Sequence, residues 1–237
     1  MFNKERDIMS KISILIPTRF DSRYIIELAL RSIWKNTDYP SYQIIVCNSG
    51  VDEVTEKYLI SLAEGREIKL IKATDCRCPK NDLVKAVETE YYVLMHDDVQ
   101  ILKSDWLTRR MQVMGQDRRN AIVGMAVRNY GQLFVRRFFP LCLLVKTEVS
   151  RKLDLKWGKL PERKLDNGAI AYERFFCQRE YKFVPFDYKY DIRHFGNLTW
   201  PVRKYHLKEK FSDLEGKLRE RERKIAEIKE ILEKKLY

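Results

Sequence analysis

The sequence has 237 residues, 45% of them hydrophobic and 12% aromatic, which is enough for a folded core and excludes disorder as the default. Its formal net charge of +12 predicts an anionic partner, such as nucleotide phosphates, nucleic acid or an acidic membrane surface. The longest uninterrupted apolar run, residues 138–145, contains a proline and is too short to span a bilayer. The opening MFNKERDIMSK lacks the apolar segment of a secretory signal, and the five cysteines have no zinc-site spacing. We therefore expect a cytoplasmic protein with reduced thiols.

The first half of the chain alternates the patterns of strands and helices. Short apolar runs that end at turn residues predict strands at 12–16, 43–47, 68–73 and 91–95. Apolar residues at helical spacing predict helices at 24–34, 54–62 and 80–87. Four strands that alternate with three helices favour a parallel, doubly wound sheet, which binds its ligand at the carboxyl ends of its strands.

The fourth strand delivers two carboxylates to that end of the sheet. In YYVLMHDDVQI, residues 91–101, the apolar run continues into His96, Asp97 and Asp98 before the chain turns apolar again. Adjacent side chains of an extended segment point to opposite sides, so we expect one carboxylate to hold a metal ion and the other part of the ligand. An acidic turn without function is the alternative interpretation, because Asp is common in turns.

The second half of the chain predicts a β-rich region. Helical spacing predicts helices at 106–114, 147–153 and 170–180. Apolar runs predict strands at 121–127, 133–139 with its continuation at 141–145, and 183–190. Polar, proline-containing residues 157–167 predict a mobile loop, and residues 191–200 predict a loop that carries His194.

The last segment, residues 207–237, has apolar residues at heptad spacing with Arg221 on the same stripe. Three interpretations remain open: a helix packed on its own domain, a coiled coil with a second copy, and a peripheral contact with a membrane surface. A helix of ~30 residues is ~45 Å long, too long to bury its whole stripe against a small domain. We therefore expect residues 207–218 to dock on the domain and residues 220–237 to pair as a homodimer, with Glu222 or Glu227 of the second copy reaching Arg221.

Four segments together resemble the GT-A glycosyltransferases of family 2. They are residues 13–19 (SILIPTR), 30–59, 80–101 with the following Asp105, Trp106 and Leu107, and 143–194. The resemblance implies an α/β fold of the GT-A, Rossmann-like type, with a mixed, mostly parallel sheet and helices on both faces, to which the heptad pattern adds a C-terminal amphipathic helix. It implies a catalytic domain at 1–202, with a nucleotide-binding half at 1–101 and an acceptor half at 102–202, followed by the heptad-patterned helix at 203–237.

The resemblance also implies an activity and a metal. Such enzymes move a hexose from a nucleotide sugar, here a UDP- or GDP-sugar, to an acceptor hydroxyl with inversion, assisted by Mn²⁺ or Mg²⁺. The family's Asp-x-Asp-like motif places the metal on Asp98 and the ribose or sugar beside Asp97, while His96 stands where the first aspartate usually stands. His194 matches a histidine that lies near the metal in the family. The acceptor, whether carbohydrate, lipid-linked or protein, stays open.

By the same resemblance, five positions lie at the nucleotide. Thr18 and Arg19 lie in the loop after the first strand, and Arg77 lies ahead of the helix that begins near Asn81. Cys47, with Asn48 beside it, occupies the place of the family's base-binding aspartate.

Inverting transfer also needs a carboxylate that takes the proton from the acceptor hydroxyl. The family position implies Asp166, in KLDNGAIAYERF, with Glu162 and Glu173 as alternatives.

Two other functions are weighed against this one. A sugar-nucleotide nucleotidyltransferase carries a glycine-rich, basic signature after its first strand, and residues 17–21 (PTRFD) do not supply it. A basic nucleic-acid-binding protein would explain the net charge, but basic and acidic residues are mixed throughout and no nucleic-acid motif is present.

Overall fold

The computed structural model describes residues 10–18, 23–50, 52–74, 78–129, 132–158, 168–196, 198 and 214–237, without the side chains of 128, 129 and 132–135. The strands are β1 (Ile12–Thr18), β2 (Tyr42–Asn48), β3 (Ile68–Lys72), β4 (Tyr91–Met95), β5 (Val99–Ile101), β6 (Asn120–Asn129), β7 (Gln132–Lys146), β8 (Lys182–Pro185) and β9 (Ile192–His194). The helices are α1 (Arg23–Lys35), α2 (Glu53–Ala63), α3 (Pro79–Lys85), α4 (Trp106–Gly115), α5 (Thr147–Lys152), α6 (Ala169–Phe176) and α7 (Leu214–Glu233).

Seven strands form one mixed sheet in the order β3-β2-β1-β4-β7-β6-β8. The first four strands of the chain run parallel, as the alternation of strand and helix predicts. β7 is antiparallel to both β4 and β6, while β8 returns parallel to β6. The mixed, mostly parallel sheet is therefore confirmed. β5 and β9 lie outside it and form a separate antiparallel pair, called the β5–β9 ribbon below.

Helices cover both faces of the sheet, and β4 is therefore buried on both sides. Tyr91, Val93 and Met95 belong to a hydrophobic cluster that also contains residues of α1 and α4. Tyr92 and Leu94 belong to a second cluster, which contains residues of α3, α5 and α6. Such two-sided burial is typical of a parallel strand between helix layers and fixes where β4 ends.

The terminal helix α7 packs on its own domain. Ile228 and Ile231 of α7 share a third hydrophobic cluster with Ile25 and Leu28 of α1. Our expectation that residues 220–237 lack a partner within the chain is therefore wrong, while residues 207–213 lie outside the described part. Arg221 does not need a carboxylate from a second copy, because its Nε donates to Leu198 O at 2.8 Å. Among the described helices, none is long and apolar enough to cross a membrane.

Three local predictions from the sequence differ from the structure. The predicted loop at 191–200 contains β9, whose three residues pair with β5 and are too few to give an alternating pattern. Trp157, assigned to a mobile loop, is fully buried, and its backbone N–H donates to Asn81 Oδ1 at 2.9 Å. β8 ends at Pro185, five residues earlier than predicted, and its last bond to β6 is from Phe186 N to Gly124 O at 2.8 Å.

Candidate active site

The predicted ligand edge exists at the carboxyl ends of β1, β2 and β4. Thr18 and Asn48 are register partners at the ends of β1 and β2. The turn after β2 is held to the end of β1, since Ser49 donates to Thr18 O at 2.9 Å through both its backbone N–H and its hydroxyl. β4 stops at Met95, and the next residues are His96 and the two aspartates. The fold therefore gathers the first nucleotide-loop residue and the acidic motif at one edge.

The structure brings Asp98 and His194 together and adds His96. One ligand atom from each of the three residues lies within 4.8 Å of the others. His194 Nε2 lies 3.2 Å from Asp98 Oδ1, and His96 Nδ1 lies 3.8 Å from the same oxygen. The β5–β9 ribbon creates this arrangement, because His194 is the register partner of Val99, the residue after Asp98. We call these three side chains the His–Asp–His cluster.

The protonation states of this cluster follow from its surroundings. Burial, and then the positive charge of Lys80, lower the pKa of His96 to about 3, so its imidazole is neutral at neutral pH. Burial alone would raise the pKa of Asp98, but the neighbouring His194 and His96 outweigh it and lower this pKa below its usual value. Asp98 is therefore a carboxylate. Neutral imidazole and ionised carboxylate are the states that bind a metal ion.

The cluster fits a divalent cation. His96 Nε2 is buried and has no hydrogen-bond partner among the described residues. A buried nitrogen of this kind is uncommon in folded proteins and is explained by an ion or a water. Mixed imidazole and carboxylate ligands suit first-row metals such as Mn²⁺. Asp97 is also buried, beside the cluster.

Two buried cations flank the cluster, and the sequence analysis missed both. Lys80 lies in the first turn of α3 and Arg137 lies on β7, and each is less than 10% exposed. Both positive charges act on His96 and lower its pKa. The guanidinium of Arg137 lies 5.4 Å from the ring centre of Phe139, whose ring is in turn 6.0 Å from His96 and 6.1 Å from His194. The edge thus combines carboxylates with cations that attract phosphate.

The only sequence signal for Lys80 is its position at the start of a helix that follows a strand. Such a helix begins at the carboxyl edge of a parallel sheet. Arg137 gave no signal that separates it from Arg136, because adjacent strand residues point to opposite faces and the local sequence does not say which face is buried. Arg136 is exposed, whereas Arg137 is buried.

The remaining predicted site residues have different placements. The Cys47 side chain is fully buried in the second hydrophobic cluster, so it does not face the ligand edge. Glu173 lies partly buried in the middle of α6. Arg19, Arg77, Asp166 and Glu162 lie outside the described residues.

The start of α6 lies directly beside the site strand β7. Gly168 O accepts from the backbone N–H of Phe138 at 3.3 Å, between Arg137 and Phe139. Gly168 has φ +80°, and a Cβ there would lie 2.5 Å from Phe138 O, so only glycine allows this approach. The chain two residues after Asp166 is therefore fixed next to the arginine and the aromatic ring of the site.

A buried ion pair fixes the start of β9. Asp191 and Arg110 are both almost fully buried. Arg110 Nη1 donates to Asp191 Oδ2 at 2.7 Å, and Arg109 binds the other oxygen of the same carboxylate. Leu102 N donates to Asp191 O at 2.7 Å. The strand that carries His194 is thus held to α4 and to the end of β5.

No profile of a known protein family matches the chain, and no curated protein matches it. Solved structures do. The mannosyltransferase PcManGT from Pyrobaculum calidifontis, in complex with GDP-Man and Mn²⁺, is similar over 82% of this chain and 61% of its own, with 17% identity and a TM-score of 0.62. S. aureus TarS 1–349 in complex with UDP is similar over 77% of this chain and 59% of its own, with 14% identity and a TM-score of 0.56.

The same TarS fragment in complex with UDP-GlcNAc has the same TM-score of 0.56 and 14% identity. This chain spans about three fifths of the length of the first two structures. The likenesses confirm the GT-A fold that the sequence predicts.

Proposed function

We propose that this chain, which has the GT-A fold, is a glycosyltransferase that moves a hexose from a UDP- or GDP-sugar to an acceptor hydroxyl with inversion. The observation that carries the proposal is the His–Asp–His cluster at the carboxyl edge of the sheet, with Lys80 and Arg137 buried beside it. A metal-ligand set next to buried cations suits a nucleoside diphosphate. The similar structures of PcManGT and TarS hold GDP-Man with Mn²⁺ and UDP. We place the chain with family 2 on the motifs of its first half.

In this proposal Asp98 and His194 hold the divalent cation, Mn²⁺ or Mg²⁺, and His96 adds a third ligand. Held there, the cation would supply positive charge against the negative charge that develops on the departing nucleoside diphosphate. Lys80 and Arg137 attract the same phosphates from the protein side, where burial strengthens the attraction. Asp97 accepts hydrogen bonds from the ribose or the transferred sugar.

The nucleoside lies along the ends of β1 and β2. Thr18 stays assigned to this loop, with Arg19 and Arg77 as further nucleotide contacts. We move the base contact from Cys47 to Asn48, because the Cys47 side chain is buried in the core while Asn48 is partly exposed at the edge. The Asn48 amide carries both a donor and an acceptor, so it can pair with either uracil or guanine.

Asp166 is the proposed general base, with Glu162 and Glu173 as alternatives. Support for Asp166 comes from Gly168, two residues later, whose carbonyl oxygen accepts from the backbone N–H of Phe138 on β7, between Arg137 and Phe139. The carboxylate takes the proton of the acceptor hydroxyl while the acceptor oxygen bonds to the anomeric carbon. The bond from that carbon to the diphosphate oxygen breaks on the opposite face, which inverts the configuration.

A thermal-shift panel tests this function. Nucleotide sugars with uracil or guanine bases would be added to the full chain with Mn²⁺ or with a chelator. We expect one donor to raise the melting temperature with Mn²⁺, because a ligand that binds only the folded state stabilises it. Stabilisation by a nucleoside triphosphate with a sugar 1-phosphate would favour a nucleotidyltransferase instead. Salt-dependent binding of DNA or RNA without any donor effect would favour a nucleic-acid-binding protein.

A further inference from the structure

The C-terminal helix contacts the strand that carries His194. We propose that α7 positions His194, and that the helix is therefore part of the metal site and not an appendage of the fold. This inference rests on the proposed function, because it assigns a role at the same site. It starts from the contacts of α7 with residues 193, 195, 196 and 198.

Three polar contacts from α7 bracket His194. Glu227 forms an ion pair with Arg193, the residue before His194. Lys224 Nζ donates at 3.0 Å to the carbonyl oxygen of Gly196, two residues after His194. Arg221, buried in the interface, donates to Leu198 O at 2.8 Å. Three successive turns of one helix thus bind the chain on both sides of the histidine.

Apolar packing holds the same segment. Phe195 and Leu198 share their hydrophobic cluster with Ile228 and Ile231 of α7. Ile228 is fully buried there. Removing a buried isoleucine side chain leaves a cavity and destabilises the surrounding packing, so Ile228 helps to hold the segment.

The contacts reach the imidazole through one residue. Gly196 has φ +62°, and a Cβ there would lie 3.6 Å from His194 Cε1, so the backbone of Gly196 runs beside the ring. Lys224 binds the carbonyl of this same glycine. A shift of α7 therefore moves the backbone against which the imidazole rests.

Leu236, three residues after α7, also holds the other strand of the β5–β9 ribbon. Gln100, buried on β5, donates through Nε2 to Leu236 O at 2.9 Å. Phe195 N donates to Asp98 O at 3.0 Å, which joins the two metal-ligand segments directly. Residues 227 and 236 thus contact the two strands of the β5–β9 ribbon. The pairing of these strands sets the distance from His194 to Asp98.

The test uses the full chain and two changes in α7. Ile228→Ala removes apolar packing, and Lys224→Met removes the bond to Gly196 O. Lys229→Met is the matched control for the second change, because Lys229 lies 4.5 Å over the ring of Tyr24 on α1. Leu59→Ala, a buried change on α2, is the control for lost stability.

Mn²⁺ affinity would be measured from the free Mn²⁺ signal in electron paramagnetic resonance. We expect Ile228→Ala and Lys224→Met to raise the Mn²⁺ Kd about 10-fold, a typical effect of residues that orient a metal ligand. Neither change should weaken binding further once His194→Ala is present, because residues that act through one group are not additive. Both controls should leave the Kd unchanged, whatever they do to the melting temperature.

A second readout needs no metal. The chain has 3 histidines, so the loss of one imidazole Cε1–H resonance in His194→Ala assigns that resonance to His194. We expect it to shift or broaden in Ile228→Ala and Lys224→Met. A wild-type chain that binds no Mn²⁺ would contradict the proposed metal site alone. An unchanged resonance in both α7 variants, or a Kd like that of the controls, would overturn the inference about α7.

Discussion

Arg110 and Asp191 form an ion pair that is almost completely removed from solvent, with Arg110 Nη1 2.7 Å from Asp191 Oδ2. The pair connects α4 to the residue before β9, three positions ahead of His194. A buried pair of this kind is costly to form and more costly to break, since one charge then stays buried without its partner. The pair therefore has a direct consequence for the stability of the protein.

Asp191→Asn should therefore destabilise the fold by about 3–5 kcal/mol, because the Arg110 charge loses its carboxylate. Urea unfolding followed by circular dichroism measures this. Asp187→Asn is the control, since Asp187 is exposed and close in sequence, and its effect should stay within about 0.5 kcal/mol. Equal stability of Asp191→Asn and the wild type would mean that the pair does not hold β9.

Arg137→Met should weaken the binding of UDP or GDP by about 10- to 100-fold, the loss expected for a hydrogen bond to a charged group. Uridine and guanosine, which lack phosphates, should bind with unchanged affinity. Arg136→Met is the matched control, because Arg136 is the exposed neighbour on the same strand. Calorimetry on both variants decides the point, and equal losses for the two arginines would remove Arg137 from the site.

Gly168→Ala should destabilise the protein by about 1–3 kcal/mol and lower sugar transfer, because a Cβ would meet Phe138 O at 2.5 Å. Gly115→Ala should be neutral or stabilising, since a Cβ there meets nothing within 4 Å. Thermal unfolding of the two variants gives the comparison. If Gly168→Ala unfolds like Gly115→Ala, α6 does not start against β7 as the structure shows.

Asp166→Asn should lower turnover by orders of magnitude and leave donor binding nearly unchanged, because a general base acts on the acceptor in the transition state. Turnover and donor affinity would be measured separately, by product release and by calorimetry. The same measurements on Glu162→Gln and Glu173→Gln test the alternatives. Should one of them show this signature while Asp166→Asn keeps its turnover, the base is that glutamate.

The first half of the fold could be predicted because its signals are local. The apolar runs of β1, β2 and β4 and the turn residues after them are read from neighbouring positions, and Asp98 follows from the end of β4. β9 has three residues, and its only reason to be a strand is β5, more than ninety positions earlier in the sequence. Its pairing with β5 therefore depends on contacts that no local pattern records.

The heptad stripe of the terminal helix shows what a periodic apolar pattern can and cannot predict. It correctly predicts an apolar face, but it does not say which surface that face meets. Ile228 meets α1 and Leu198 of its own chain, so the predicted need for a second copy was wrong. The burial of Lys80 and Arg137 is likewise a tertiary fact, since each stands in a sequence context typical of exposed residues.

The central claim is metal-dependent cleavage of a nucleotide sugar at Asp98. The most direct measurement is the release of UDP or GDP from a panel of nucleotide sugars by the wild type and by Asp98→Ala, with Mn²⁺ and with a chelator. The wild type should release nucleoside diphosphate from one donor only when Mn²⁺ is present, and Asp98→Ala should be folded but inactive and should lose metal-dependent binding of that diphosphate. Equal release by Asp98→Ala, or no release from any donor by the wild type, would contradict the account.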